Sequence, residues 1–311
     1  QPSTDLGGSH MRIVLIGQAA FGEAVYRKLL EQQEEVVAVF YEREGDPLHV
    51  LATEQGIVSH PTNMLRKEDF FSTYSALAPD INVMAFVTVI IPESVIEFPT
   101  HGTIQYHPSL LPLHRGRSAI NWAIINGEDE TGISIFWPDK GIDTGPILMQ
   151  KTSAIAPDDT VGTLYRNQLF PQGVEALAES VGLIRENKAP KLIQDESQSS
   201  YEPPCEGPLA KIEWFRPANQ VFNHIRGCDP APGAYSVIRN ETMALLNVEF
   251  GTRENAAMYG EVIAIEDTGI RIALNGGSVL VKRVRRKGQR AINATEFATE
   301  IGLKTGERFT N

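Results

Sequence analysis

The sequence predicts an α/β protein: a mainly parallel, doubly wound sheet followed by a second, smaller β domain. Two observations carry the first part. Short apolar runs alternate with segments of helical period from Arg12 onward, and several of those runs stop at Gly or Pro, as strands buried on both faces do. A third observation carries the second part. Past Pro208 the runs stay short and are separated by Asn-Glu, Asp-Thr-Gly and Asn-Gly-Gly turns, the pattern of a mostly antiparallel sheet or barrel.

Arg12 to Ile16 (RIVLI) is an apolar run closed by Gly17 and reads as the first strand. Glu23 to Leu30 spaces its apolar residues as a helix, and Glu35 to Tyr41 (EVVAVFY) reads as the second strand, which completes a βαβ unit. The intervening GQAAFG lacks the second glycine of G-x-G-x-x-G, because position 19 is Ala, and no Gly-Lys-Ser/Thr follows. Gly17 and Gly22 therefore read as allowing a tight turn and close helix–strand packing, not as a dinucleotide or phosphate loop. Gly56 to His60, Ile81 to Phe86 and Thr103 to His107 read as further strands; Lys67 to Leu77 and Pro92 to Phe98 read as helices between them. Ser118 to Asn126 is helical in period, Thr131 to Trp137 and Gly145 to Lys151 are strands, and Thr160 to Asn187 is a long helical stretch broken around Pro171. Lys188 to Pro208, dense in Ser, Pro and Glu, reads as a linker or an ordered surface loop. Beyond it come a helix over Pro217 to Gly227 and β runs over 233–239, 241–250, 259–266, 269–273 and 278–285. The expected division is a catalytic domain over 12–207, including the linker, and a β domain over 208–311.

Composition narrows the function classes. The 311 residues carry 28 Lys+Arg and 39 Asp+Glu, a net charge of −11, which argues against nonspecific nucleic-acid or membrane-surface binding by the whole chain. No run of eighteen apolar residues occurs, so no transmembrane helix is expected. Two cysteines, Cys205 and Cys228, make neither a disulfide scaffold nor a four-cysteine metal site, and no metal is expected; a reducing cytoplasm is the default compartment. The two thiols read as ordinary ones, with Cys205, in the loop, the candidate for reactivity. Residues 1–11 (QPSTDLGGSHM) read as an expression-tag remnant ending at a natural start, Met11, because a signal peptide would have a basic start and an apolar centre.

The stretch from His101 to Gly145 concentrates the chemistry. His107 ends a predicted strand, and in an open α/β sheet the carboxyl edge is where ligands bind. Asp143 follows another strand and is flanked by Gly141 and Gly145. A carboxylate beside an imidazole favours the protonated ring, which can then donate to an oxyanion or a leaving nitrogen. By spacing alone, a structural or surface histidine is an equal reading.

The run HPSLLP (107–112), then HRG (114–116) and GIDTG (141–145), resembles the 10-formyltetrahydrofolate-dependent formyltransferase superfamily. Within it, SAINW (118–122), SIFW (134–137), TLY (163–165), NKAPKL (187–192) and HIRGCDPAPGAY (224–235) are most similar to the amino-terminal hydrolase domain of 10-formyltetrahydrofolate dehydrogenase. The resemblance implies a Rossmann-like sheet with an OB-like β-barrel domain behind it, and a folate, 10-formyltetrahydrofolate, as formyl donor, with no metal and no NAD. It implies His107 and Asp143 as catalytic residues. It implies a pterin slot lined by Ala85, Phe86, Val87 and Ile91 and by backbone at Pro138, Asp139 and Gly141, with Ser109, Leu110 and Leu111 in the turn beside the folate; for Leu111, core packing is an equal reading.

One departure stands out. Most transferases of the superfamily carry Asn two residues before the histidine; here the residue is Gln105, on the same strand face as His107 because side chains alternate. Gln105 is expected either to donate its amide to the oxyanion or, displaced by one methylene, to have no catalytic role. The acceptor stays open. The resemblance allows water, a carrier thiol or an amine on a small molecule, and less readily tRNA. With no carrier segment read before Asn311, any carrier is expected to be a separate protein. Arg115 and Arg117 read either as contacts to an anionic acceptor or as solvated surface groups. The run Lys282 to Arg290 (KRVRRKGQR), in a carboxyl-terminal part with 14 basic and 11 acidic residues from Gly207 on, reads either as a docking patch or as a charged strand that resists edge association.

Overall fold

The computed structural model describes residues 10–252 and 256–311. The expected tag remnant lies, apart from His10 and Met11, outside the described residues. The chain divides into two compact units interleaved in sequence. The first holds the chain up to Arg115, Gly132–Thr152 and Leu169–Ser200; the second holds Gly116–Thr131, Ser153–Gln168 and Tyr201–Asn311. The division by contacts thus assigns 116–131 and 153–168 to the unit that carries the carboxyl-terminal sheet, whereas the sequence suggests one continuous domain to residue 207.

Seven strands make the main sheet: β1 (Arg12–Gly17), β2 (Glu35–Tyr41), β3 (Val58–Pro61), β4 (Ile81–Ala85), β5 (Thr103–His107), β6 (Glu130–Phe136) and β7 (Ile147–Ala154), in the order β3-β2-β1-β4-β5-β6-β7. The pairs from β3 to β5 are parallel and β5 meets β6 antiparallel. The apolar run of β1 is buried throughout except at Arg12, as a central strand covered on both faces requires. The chain builds outward from β1 to β3, then returns to β4, so the strand order reverses between β1 and β4, where open sheets of this kind leave a crevice. Gly17 lies there. A Cβ on it would stand 2.3 Å from the Ala85 carbonyl oxygen, so only glycine permits the approach, as the sequence suggests.

Helices α1 (Ala19–Glu31), α2 (Pro47–Glu54), α3 (Phe71–Ser75) and α4 (Glu93–Ile96) follow β1 to β4 in turn, and α5 (Ala119–Ile125) follows β5. Asp46 caps α2 and also accepts twice from the Ala19 N–H, tying the starts of α1 and α2 together. One face of the sheet packs Val14, Ile16, Phe40, Met84 and Tyr74 into a core. The expected break near Pro171 takes the form of a π turn, Tyr165–Leu169, between α6 (Val161–Leu164) and α7 (Phe170–Arg185).

In the second unit, α8 (Ala218–Gly227) precedes β8 (Tyr235–Ile238), β9 (Glu241–Gly251), β10 (Val262–Glu266), β11 (Gly269–Leu274), β12 (Gly277–Arg286) and the short β13 (Ile292–Asn293). The order is β10-β11-β12-β9-β8 with β13 on β12, every pair antiparallel. The last residues close this sheet: Val262 donates to the Glu307 carbonyl on one edge, and Val237 and Thr310 exchange backbone bonds on the other. Helix α9 (Ala294–Ile301), which ends on a left-handed Gly302, adds Phe297 and Ala298 to a core with Trp214, Phe222 and Phe309. Cys205 and Cys228 lie buried in that core with their sulfurs 3.7 Å apart, so the loop placement of Cys205 does not expose its thiol. No described helix is long and apolar enough to cross a membrane.

Candidate active site

The site is built on β5, on the loop that leaves the carboxyl end of β4 and on the loop between β6 and β7, and His107, Asp143 and Gln105 all belong to the first unit. Strand β5 delivers Gln105 and His107 to one face. His107 is 5% exposed, and its Nε2 lies 2.8 Å from the His114 carbonyl oxygen. A carbonyl only accepts, so Nε2 carries a proton in this contact. The other ring nitrogen, Nδ1, faces the Asp143 carboxylate at 3.5 Å. The ring is thus fixed at one end by a carbonyl and turned at the other toward a carboxylate. Gln105 is half-buried, and its side-chain amide has no hydrogen-bond partner among the described residues.

Asp143 sits on the loop between β6 and β7 with a left-handed backbone, φ 55°, as do His114 (φ 51°) and Phe86 (φ 66°). Three non-glycine residues in this sparsely populated region mark a place where the surroundings enforce a conformation the chain would not choose. The loop depends on its glycines: a Cβ at Gly145 would stand 1.7 Å from the Trp137 carbonyl oxygen, and one at Gly141 2.1 Å from Thr144 Oγ1. Asp139 organises the same loop, its Oδ1 accepting from the Gly141 N–H and the Thr144 hydroxyl.

The other expected site residues fall into two groups. Phe86, 44% exposed, and Gly141 are open at the sheet edge, and Pro138 and Val87 are partly so. Ala85 and Ile91 are buried, Ile91 within the same core as Phe70 and Val95. The turn after His107 faces inward: Ser109 is fully buried and donates to the Leu113 carbonyl, Leu111 packs with Phe136 and Ile147, and Leu110 lies against Gly132. For Leu111 the packing alternative describes its place.

Arg115 requires a correction. An acceptor contact needs an accessible guanidinium, but Arg115 is 7% exposed and donates to Gln194 Oε1 and, through two nitrogens, to Glu196. The bond to Glu196 holds the guanidinium more firmly charged than usual and pulls the Glu196 carboxyl below its ordinary range. Arg117 belongs to the second unit and pairs at the surface with Glu206. The residues that sequence patterns missed are Gln194, Glu196 and Ser200. They come from the polar stretch that reads as a linker, and no local motif marks them.

A mainly parallel sheet that reverses order at β1/β4 and carries an imidazole–carboxylate pair, together with a second unit built on a six-stranded antiparallel sheet, defines a two-unit α/β class of fold. The formyl transferase family model matches residues 11–181, and the formyl transferase carboxyl-terminal domain model matches residues 208–302. The chain belongs to the formyl transferase family. It is 38% identical over 306 residues to cytosolic 10-formyltetrahydrofolate dehydrogenase of Xenopus laevis, covering 92% of this chain but 34% of that protein, so it spans about a third of the length of that relative. It is 33% identical over 299 residues to methionyl-tRNA formyltransferase of Desulforamulus reducens, covering 92% of this chain and 94% of that one. Among solved structures, HypX from Aquifex aeolicus in complex with tetrahydrofolic acid shares the fold, with a TM-score of 0.73 at 22% identity over 96% of this chain and 49% of that one.

Proposed function

We propose that this protein removes the formyl group of 10-formyltetrahydrofolate and passes it to water or a carrier thiol, leaving tetrahydrofolate. The observation that carries the proposal is the His107–Asp143 pair at the sheet edge, with the unpartnered Gln105 amide on the same strand face. With water as acceptor, the oxygen adds to the formyl carbon and its proton passes to the Asp143 carboxylate. The Gln105 amide donates to the oxyanion that forms. The C–N10 bond then breaks as His107 delivers a proton to N10, and the proton on Asp143 resets the ring. Formic acid, which gives up its remaining proton to solvent to become formate, and tetrahydrofolate leave. The pterin would lie against Phe86 and Val87 and the 138–141 backbone, which are open at that edge.

A second reading moves the formyl group to an amine, on a small molecule such as an amino sugar or an amino acid derivative, or on tRNA. The near end-to-end match to a methionyl-tRNA formyltransferase favours it. The deciding experiment is formate release from 10-formyltetrahydrofolate with no added acceptor. Release abolished by His107→Ala supports the hydrolytic reading; folate binding without release turns the search to amines and thiols.

A further inference from the structure

We propose that the segment 194–200 is a strap that positions the reacting pair, with Gln194 as its central residue. The proposal rests on the His107–Asp143 reading above and adds to it the group that sets the pair's geometry. Gln194 is 5% exposed and its amide is fully engaged. Its Oε1 accepts from Arg115 Nη2 at 2.8 Å and Nε at 3.3 Å. Its Nε2 donates to the carbonyl oxygens of Asp143 at 2.9 Å and Gly145 at 2.7 Å. These carbonyls bracket the left-handed turn that carries the Asp143 side chain. A residue at φ 55° persists only when its surroundings hold it, and Gln194 supplies the hold.

The far end of the segment fastens the other half of the pair. The Ser200 hydroxyl accepts from the His114 N–H at 2.8 Å. The Ser200 carbonyl accepts from the Arg115 N–H, and the Ser200 N–H donates to the Pro112 carbonyl. His114 is itself left-handed, and its carbonyl receives the His107 Nε2–H. Both groups that orient the pair, the carbonyl behind the imidazole and the backbone beneath the carboxylate, are therefore fixed to one segment. Arg115 joins the two ends, held on its outer side by Glu196. The distance between ring and carboxylate is the quantity this arrangement sets, and displacements of about 1 Å at such a pair cost on the order of 100-fold in rate.

Gln194 touches no reacting atom, so it is a positioning residue. A role confined to holding the fold would lower stability and leave turnover per folded molecule unchanged. The test uses the full chain with Gln194→Glu, which keeps the reach and still accepts from Arg115 but offers oxygens to the Asp143 and Gly145 carbonyls. In formate release from 10-formyltetrahydrofolate, kcat is expected to fall about 10- to 100-fold, with KM changed by less than about threefold. Gln194→Ala, which leaves room for a water to bridge the carbonyls, covers the case in which the charged variant does not fold, and its kcat is expected to fall less. A folded variant of either kind with wild-type kcat overturns the strap. The ring nitrogen resonances of His107, identified by their loss in His107→Ala, give a readout independent of turnover. They are expected to move in Gln194→Ala, and unmoved resonances overturn the proposal. If wild-type turnover proves indifferent to His107→Ala, the functional reading fails, and the resonances alone decide whether Gln194 positions the ring and carboxylate.

Discussion

The segment 194–200 and the run Lys282–Arg290 are both strongly polar, and their hydrogen bonds point in opposite directions. In the first, one neutral amide and one hydroxyl reach residues far back in the chain, at Arg115, Asp143, Gly145 and His114, and converge on the backbone that carries and flanks a single pair of side chains. In the second, the cations are answered from within their own unit. Lys282 pairs with Glu249, Arg286 with Glu241 and Glu300, and Arg283 and Arg285 donate to the carbonyls of Ala291, Pro230 and Pro232. Lys287 and Arg290 alone are left with no partner among the described residues. Charge density therefore says little about which surface segment serves a site; the separation and identity of the partners decide it.

The largest expected effect tests whether the strap frames a reaction centre at all. His107→Ala and Asp143→Ala should each lower formate release at least about 100-fold, the scale for a proton-transferring group. Near wild-type rates in both would remove the centre, and with it the contrast between the two segments. Gln105→Asn and Gln105→Ala refine the same point. If the unpartnered amide meets the oxyanion, Ala should cost more than Asn; equal, unchanged turnover in both would exclude a catalytic role.

A second test perturbs the Asp143 loop at a residue outside the segment 194–200. In Gly145→Ala the new Cβ would lie 1.7 Å from the Trp137 carbonyl oxygen, so the backbone must move, at about 1–3 kcal/mol of stability. Because Gln194 holds the loop through the Gly145 carbonyl, the variant should also lower kcat with little change in KM. A stability loss with kcat unchanged would mean that the geometry of Asp143 tolerates displacement, and would weaken the case for the strap.

Much of this organisation was legible in the sequence. Parallel strands such as Arg12–Gly17 are apolar throughout and end at glycine, so their pattern is local and strong. His107 and Asp143 stand out because Gly, Pro and a strand end surround them. Gln194 and Ser200 do not, because their meaning lies in partners 51 and 86 residues away, and Ser- and Pro-rich composition masks it. The terminal pair β13 and α9 went unread for a different reason: a two-residue strand and an eight-residue helix are too short to establish a period, although Asn293 and Gly302 sit where caps belong.

The basic run offers a smaller effect. The guanidinium of Arg286 lies over the Phe297 ring and binds two glutamates, so Arg286→Ala should cost about 1 kcal/mol in chemical denaturation. Lys287→Glu with Arg290→Glu should leave stability and water-dependent turnover within about twofold of wild type. A drop in kcat/KM that appears only with a charged acceptor would assign those two cations to docking and make the run functional after all.

The smallest effect lies at the outer edge of the strap, where Glu196 meets Arg115. The hydrogen bond from Arg115 lowers the Glu196 carboxyl below its ordinary value. A carboxyl depressed by folding adds stability above its unfolded-state value, and that stability is lost as pH falls through the ordinary glutamate range to the lower folded-state value. Wild type should therefore melt slightly above Glu196→Gln at neutral pH, and the gap should close on acidification through that window. The gap should be small because the carboxylate is open to solvent, where water and salt screen the pair. Turnover should respond differently from stability. Arg115 keeps its bonds to Gln194 when Glu196 is neutral, so kcat should stay within about twofold of wild type. If kcat instead falls as far as in Gln194→Glu, the ion pair rather than the amide carries the positioning, and the strap's centre moves from Gln194 to Arg115.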